Sequence, residues 1–444
     1  MAIKNLEESQ HNILEIMKRE PEGLITKLTT VVDEALKKRS AVLKLAAKKQ
    51  TPFYLLDEKA LDKSIDEFMT GFSKHLSGRP YYAIKSNYHP LILKRVVQKG
   101  MGLDVSSGRE LKFAIKAKAK YIVFSGPGKT DEELRLALKY HKRVIVHVDS
   151  FNELKRLGNL SQKSHKKITI GVRFFTNYHL GNKFGIPLDD LREFWTEAKK
   201  YPYLELRGLQ SHFSWNKDSE KYSKMLKLLA DHLKKYFKPE ELDEIHFIDL
   251  GGGFYPKQID GFYPWTGRYP SHMHAGALAK LANAEFGVKT EFIDPYYIVD
   301  SKTPEEYAEL IGTVVKENLS FLKNCIYYAE PGRMISYSSM HIVVKLIDIK
   351  KSSVGITDGG INAIGWEFGE HFYMPIINLT HPSKEEIPFT LYGSLCTPRD
   401  VWGYYCFASE MQSGDVLIIP NQGAYRYTLA QEFIKAIPPV YVLK

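Results

Sequence analysis

From Thr51 to Gly253 the chain alternates short apolar runs with helical stretches, and few folds accept that pattern. Pro52-Phe53-Tyr54-Leu55-Leu56 precedes a helix from Glu58 to Phe72, with Asp57 as its N-cap. Tyr81–Lys85 leads to a helix over 90–99, and Leu103-Asp104-Val105 to one opened by Ser107-Gly108-Arg109-Glu110. The strands Tyr121–Ser125 and Val144–Val148 precede helices over 131–140 and 152–157. Ile168–Phe174, a helix near 188–201, Leu206–His212, a helix to about Phe237 and His246–Leu250 complete the series at Gly251-Gly252-Gly253. Strands separated by helices pair in parallel, and eight or so such units close into a (β/α)8 barrel.

After about Ile335 the pattern becomes β-rich, with Ile342–Ile349, Ser353–Thr357, Phe389–Tyr392 and Val416–Ile419 reading as strands. The expected organisation is a helical extension over residues 1–50, which could pair with the C-terminal domain, a barrel over 51–334 and an all-β domain over 335–444. In the extension, Leu14, Ile16 and Met17, then Val31, Val32, Ala35 and Leu36, recur at helical spacing around a break at Pro21-Glu22-Gly23. An insertion near 255–304, rich in Tyr, Pro, Gly and His, follows the glycine triplet, and such loops often carry function.

Charge and cysteine usage narrow the partners. No apolar run approaches the ~18 residues of a membrane span, and the first residues do not read as a secretory signal. Cys325, Cys396 and Cys406 are too few for a disulfide framework and fit a reducing, cytoplasmic setting. The net charge of +10 is carried by lysines spread over helices, such as Lys112, Lys116, Lys118 and Lys120, with few aromatics between them. That pattern favours solvated faces over nucleic-acid binding.

The chemistry lies at strand ends. Lys85 closes an apolar strand, where α/β enzymes place their reactive groups, and its amine suits Schiff-base or base chemistry; a solvated lysine is the plain alternative. Five further motifs follow, Gln210-Ser211-His212-Phe213-Ser214, Asp249-Leu250-Gly251-Gly252-Gly253-Phe254, Ala329-Glu330-Pro331-Gly332-Arg333, Gly393-Ser394-Leu395-Cys396-Thr397 and Gln422-Gly423-Ala424-Tyr425. The triplet allows backbone N–H groups to approach an anion. Glu330 and Arg333 on one tight turn could address two ends of a ligand or pair locally. His212 could meet a flat ring or be a core histidine, and Cys396 could be an accessible thiol or a buried one. An amine, a phosphate cradle, an acid for a ring nitrogen, an imidazole and a thiol are together the parts that hold and use pyridoxal phosphate.

These motifs, in this order from about Thr51 onward, resemble those of the fold-type III pyridoxal-phosphate decarboxylases, the family of ornithine, arginine and diaminopimelate decarboxylases. The resemblance implies an alanine-racemase-like barrel, a C-terminal β-domain and a homodimer with shared active sites. It implies that Lys85 holds the cofactor as an internal aldimine, with Asp104 nearby and Arg173 beneath it. His212 would stack on the pyridine ring, Glu330 pair with its nitrogen, and Gly251, Gly252, Gly253, Arg333 and Tyr425 hold the phosphate. Cys396 would come from the partner subunit and return a proton to the α-carbon after loss of CO2.

Departures from the family concern the substrate. Where basic amino-acid decarboxylases follow the cysteine with an acid, this chain has Thr397-Pro398-Arg399, which leaves a distal ammonium unpaired. Arg399 would favour a distal carboxylate if it faces the pocket; a surface arginine is the alternative. No arginine stands between Asp358 and His371, a stretch that includes Trp366, which puts the distal amino-carboxylate contact of diaminopimelate decarboxylases in doubt. His212-Phe213-Ser214-Trp215 displaces the family's phosphate-binding serine, and Ser214 is the candidate substitute. Trp265, Arg268, His272 and His274 could reshape the pocket, but two histidines without acids or cysteines do not make a metal site. The expectation is decarboxylation of a non-standard, acidic or conjugated amino acid. Diaminopimelate decarboxylase is the alternative, ahead of a racemase or a non-catalytic binding protein.

Overall fold

The computed structural model describes residues 24–176, 183–256, 261–262, 297–298, 301–350, 353–366 and 372–443. Eight parallel strands close a barrel in the order 144–148, 122–124, 102–105, 78–83, 326–329, 247–249, 204–210 and 168–175, the last pairing back to the first. These strands are apolar because helices cover the barrel outside and side chains fill it inside. Leu103, Val172, Leu209 and Ile248 are fully buried, each contributing about 1.5–3 kcal/mol of hydrophobic stabilisation. Helices start where the sequence supplies caps: Asp57 accepts from Ala60 N at 3.0 Å, and Thr130 and Glu133 form a capping box.

The helices Glu58–His75 and Pro304–Asn318 lie against each other. Glycine makes the approach possible, since a β-carbon at Gly71 would stand 2.8 Å from Glu305 N and one at Gly312 2.8 Å from His75 O. Among the described residues no helix is long and apolar enough to cross a membrane.

A separate, mostly β domain holds an eight-stranded sheet in the order 354–357, 386–392, 401–407, 377–378, 416–419, 340–350, 53–56 and 440–442. This corrects the reading of Phe53–Leu56 as part of the barrel series. The strand runs antiparallel to Met340–Lys350, with Phe53 opposite Val343, and parallel to Val440–Val442. Its physical reason is burial on both faces: Phe53 and Leu55 join one core with Val343 and Ile418, while Tyr54 and Leu56 join the barrel-side core. The helices Leu24–Lys37 and Arg39–Lys48 pack Val32, Ala35 and Val42 into that first core, on the β-sheet. The expected helix near Leu14–Met17 and most of the 255–304 insertion, including Trp265, Arg268, His272 and His274, fall outside the described residues.

Candidate active site

Lys85 lies two residues beyond its strand, on a 3-10 turn at Ile84–Ser86, at the C-terminal mouth of the barrel. The turn is fastened on several sides. Ser86 Oγ meets Ser336 Oγ at 2.5 Å, Ser86 O accepts from Tyr425 N at 2.6 Å, and Asn87 Nδ2 donates to Gly423 O at 2.8 Å. Burial works against a charge on the Lys85 amine, but Asp104, Tyr425 and Glu330 outweigh it and raise its pKa.

Asp104 ends the neighbouring strand and is fully buried. Its Oδ1 accepts from Ser125 Oγ at 2.5 Å, and Oδ2 has no hydrogen-bond partner among the described residues. Burial, with Glu330 nearby, pushes the Asp104 carboxyl up to about 7. Arg173, at the end of another strand, donates to Ser125 O at 3.1 Å and stands 3.8 Å from Asp149.

Glu330 closes the far side. It is buried, and its Oε1 accepts from Gln210 Nε2 at 3.3 Å. Burial raises its pKa, against the pull of Lys85 and Arg173. His212 Nδ1 accepts the Gly252 N–H at 3.0 Å, so its proton resides on Nε2, and burial beside Lys85 and Arg173 keeps the ring neutral.

The glycine loop is built for close approach. Gly251 and Gly253 adopt φ of +69° and +88°, and a β-carbon at Gly253 would stand 1.9 Å from Phe213 O. Glu330 N donates to Gly251 O at 2.8 Å, and Tyr222 Oη to Gly252 O at 2.7 Å. The Arg333 guanidinium lies over three aromatic faces, 4.9 Å from the Tyr425 ring, 5.0 Å from Trp215 and 5.3 Å from Tyr255.

The structure therefore brings Lys85, Asp104, Arg173, His212, the glycine loop, Glu330, Arg333 and Tyr425 to one mouth. It does not bring in the whole sequence-based set. Ser214 is exposed. Cys396 and Arg399 are exposed and Thr397 half-buried, on a loop braced by Asp400, whose carboxylate accepts from Leu395 N at 2.6 Å and Ile361 N at 2.7 Å. Among the described residues none of the three has a hydrogen bond or ion pair to the Lys85 cluster. Trp366 packs edge-on against Phe433 at 5.2 Å. Sequence reasoning assigned nothing to His147 or to the Asp249 carboxylate, both fully buried behind Glu330. The available signal was a polar residue at alternate spacing inside the apolar strand Val144–Val148.

An amine between buried carboxylates at a barrel mouth, beside a glycine-lined loop and an arginine, defines an enzyme that works through a carbonyl carrying an anionic group. A family model described as pyridoxal-dependent decarboxylase, pyridoxal binding domain, matches residues 61–262. The chain is 27% identical over 387 residues to the 2-[(L-alanin-3-ylcarbamoyl)methyl]-2-hydroxybutanedioate decarboxylase of Staphylococcus aureus, covering 82% of this chain and 86% of the relative. It is 25% identical over 427 residues to the diaminopimelate decarboxylase of Methanocaldococcus jannaschii, covering 88% and 85%. A crystal structure of diaminopimelate decarboxylase from M. jannaschii with L-lysine superposes with a TM-score of 0.73 at 23% identity, over 90% of this chain and 89% of the other. The arginine decarboxylase of Paramecium bursaria Chlorella virus gives 0.69 at 20% identity, over 91% and 100%. The chain is similar to the fold-type III pyridoxal-phosphate-dependent decarboxylases and shares their fold. Its residues fit that cofactor: a β-carbon at Gly252 would meet Glu330 O at 2.7 Å and His212 Cε1 at 3.0 Å, so the cradle needs its glycine.

Proposed function

We propose that this enzyme removes the α-carboxylate of an amino acid whose distal part is acidic or conjugated. The observation that carries the reaction type is the Lys85 amine set among Asp104, Tyr425 and Glu330 above the glycine loop. Lys85 would hold the cofactor's aldehyde carbon, and Glu330 its ring nitrogen. Neutral His212 would lie on the ring face, with Asp104 and Arg173 beside it. Gly251, Gly252, Gly253, Ser214, Arg333 and Tyr425 would hold the phosphate. When bound, the cofactor supplies an electron sink for the pair left by departing CO2. The Glu330 charge favours a protonated ring nitrogen there. Cys396, Thr397 and Arg399 are assigned to the site of the partner in a homodimer, where Cys396 would deliver a proton to the α-carbon. Trp366 is assigned to the substrate side.

Two features support the substrate class. Thr397 cannot neutralise a distal ammonium, and Arg399 beside it offers a guanidinium to a carboxylate. The S. aureus relative carries in its name an alanine joined through an amide to a hydroxybutanedioate, an amino acid with distal acids. Diaminopimelate is the second reading, favoured by the number of such relatives. The purified protein should be yellow, and Lys85→Ala should lose both borohydride-fixed colour and CO2 release. Citrate-type amides of diamino acids should release CO2 faster than lysine, ornithine, arginine or diaminopimelate. A colourless protein that takes up no pyridoxal phosphate would sink the reaction type, and efficient turnover of diaminopimelate the substrate class.

A further inference from the structure

Nothing above gives His147 a task, yet it lies fully buried against the back of Glu330. Its two ring nitrogens face two different acids. Nε2 stands 3.6 Å from Asp249 Oδ2, and Nδ1 stands 3.9 Å from Glu330 Oε1. Neither nitrogen has a hydrogen-bond partner among the described residues, and the Asp249 carboxyl meets Glu330 directly besides facing Nε2. Buried polar atoms are almost always partnered, so two open nitrogens, each turned to a carboxylate, mark contacts that a small shift closes. Such contacts commonly tighten when a site is loaded. Packing fixes the ring: the Phe247 ring centroid is 6.0 Å away, and a β-carbon at Gly171 would meet His147 Cδ2 at 2.9 Å.

One ring nitrogen and a carboxylate oxygen of each acid lie within 4.8 Å of one another. The two nitrogens nevertheless approach different acids, Nε2 Asp249 and Nδ1 Glu330, so the imidazole can bridge them. The other groups around it are Lys129 and Arg173, which oppose a second positive charge, and Asp104 across the mouth. Burial pushes the His147 pKa down to about 3, so its ring is neutral with a single N–H. Burial, then Glu330, raises the Asp249 carboxyl well above the usual range, and its Oδ1 is taken by Gly251 N at 2.9 Å. One arrangement satisfies all three groups: Asp249 donates its proton to Nε2, and Nδ1–H donates to Glu330.

We propose that His147 is a positioning residue that bridges Asp249 and Glu330 and so keeps the negative charge on Glu330, against the ring nitrogen of the bound cofactor. The inference rests on the cofactor reading above. Without the bridge, two buried acids compete for one proton.

The test uses the holoenzyme and its visible absorbance from about pH 6 to about pH 9. His147→Phe keeps a ring and removes both nitrogens, while His147→Gln keeps one donor and one acceptor. The wild-type band should be flat with pH. His147→Phe should gain a titration in that window and lose about tenfold in kcat, with KM changed less than about threefold. His147→Gln should restore the flat band and most of kcat. A Phe variant indistinguishable from wild type overturns the proposal, as does equal loss in both variants with equal loss of thermal stability. If the Phe variant does not fold, the Gln variant decides alone: a flat band supports the bridge, and a titrating one overturns it. A colourless wild-type protein is a different outcome, which sinks the cofactor reading itself.

Discussion

Gly251 and Gly128 provide a matched pair for asking what the glycine loop requires. Their φ angles are nearly identical, +69° and +67°. Their surroundings are not. A β-carbon at Gly128 meets nothing within 4 Å, whereas at Gly251 it would stand 2.5 Å from Ser211 O and 2.8 Å from His212 Cα. Alanine at either site carries the left-handed backbone penalty of about 1–2 kcal/mol. At Gly251 it must also displace main-chain atoms, which have no rotamer to escape into, at about 1–3 kcal/mol more. Gly128→Ala should therefore cost about 1 kcal/mol and Gly251→Ala about 3 kcal/mol. Urea unfolding of the cofactor-free variants measures both. The displaced atoms belong to Ser211 and His212, so Gly251→Ala should also bind pyridoxal phosphate more weakly, about 30-fold for a further ~2 kcal/mol of strain in the bound state beyond that in the free protein. Gly128→Ala should leave that affinity alone. Equal stability costs at the two sites would refute the crowding argument.

Three further outcomes follow from buried groups elsewhere. Burial opposes ionisation of Asp57, but hydrogen bonds from His341 and Ala60 and the Lys38 amine at 3.1 Å hold its carboxyl well below the ordinary range. A depressed carboxyl contributes stability above its unfolded value near ~3.9 and loses it as pH falls. Melting temperature should thus fall less steeply in acid for Asp57→Asn, which keeps the cap, than for wild type. Lys129 and Glu153 form a buried pair at 2.8 Å, so Lys129→Met should cost about 3–5 kcal/mol in denaturant titrations, and adding Glu153→Gln should recover much of it. Burial pushes the Cys325 thiol up to about 12 and the buried Cys406 thiol higher still. Mass spectrometry after thiol labelling near neutral pH should find Cys406 modified only in unfolded protein.

The barrel was legible because its strands announce themselves locally: Leu103-Asp104-Val105 and Val416–Ile419 lie within or match the observed strands. What a strand pairs with is not local. Phe53–Leu56 looks like any buried strand, and its partner Val343 is far along the chain. The strand Val401–Phe407 escaped notice because Gly403 and polar tyrosine hydroxyls break its apolar run. Within the site, the charged and glycine-rich motifs were legible since each pairs a chemical group with a turn. His147 was not, because its meaning depends on Asp249 and Glu330 arriving from two other strands. Arg399 and Trp366 could be named but not aimed, since a loop's residue types do not determine which way its side chains face.

The place of Phe53–Leu56 between Met340–Lys350 and Val440–Val442 has a consequence for biogenesis. A ribosome delivers this strand early, yet both of its neighbours emerge only after the whole barrel has been made. Until then it is an apolar ribbon with two open edges, the kind of segment that pairs with the wrong chain. The nascent protein must keep that ribbon occupied until those neighbours are made. The helices of residues 24–48, which lie on its Phe53 and Leu55 face, are made before it, and the helix Glu58–His75, whose Leu61 and Ile65 share a core with Tyr54 and Leu56, follows at once; both are available to shelter it.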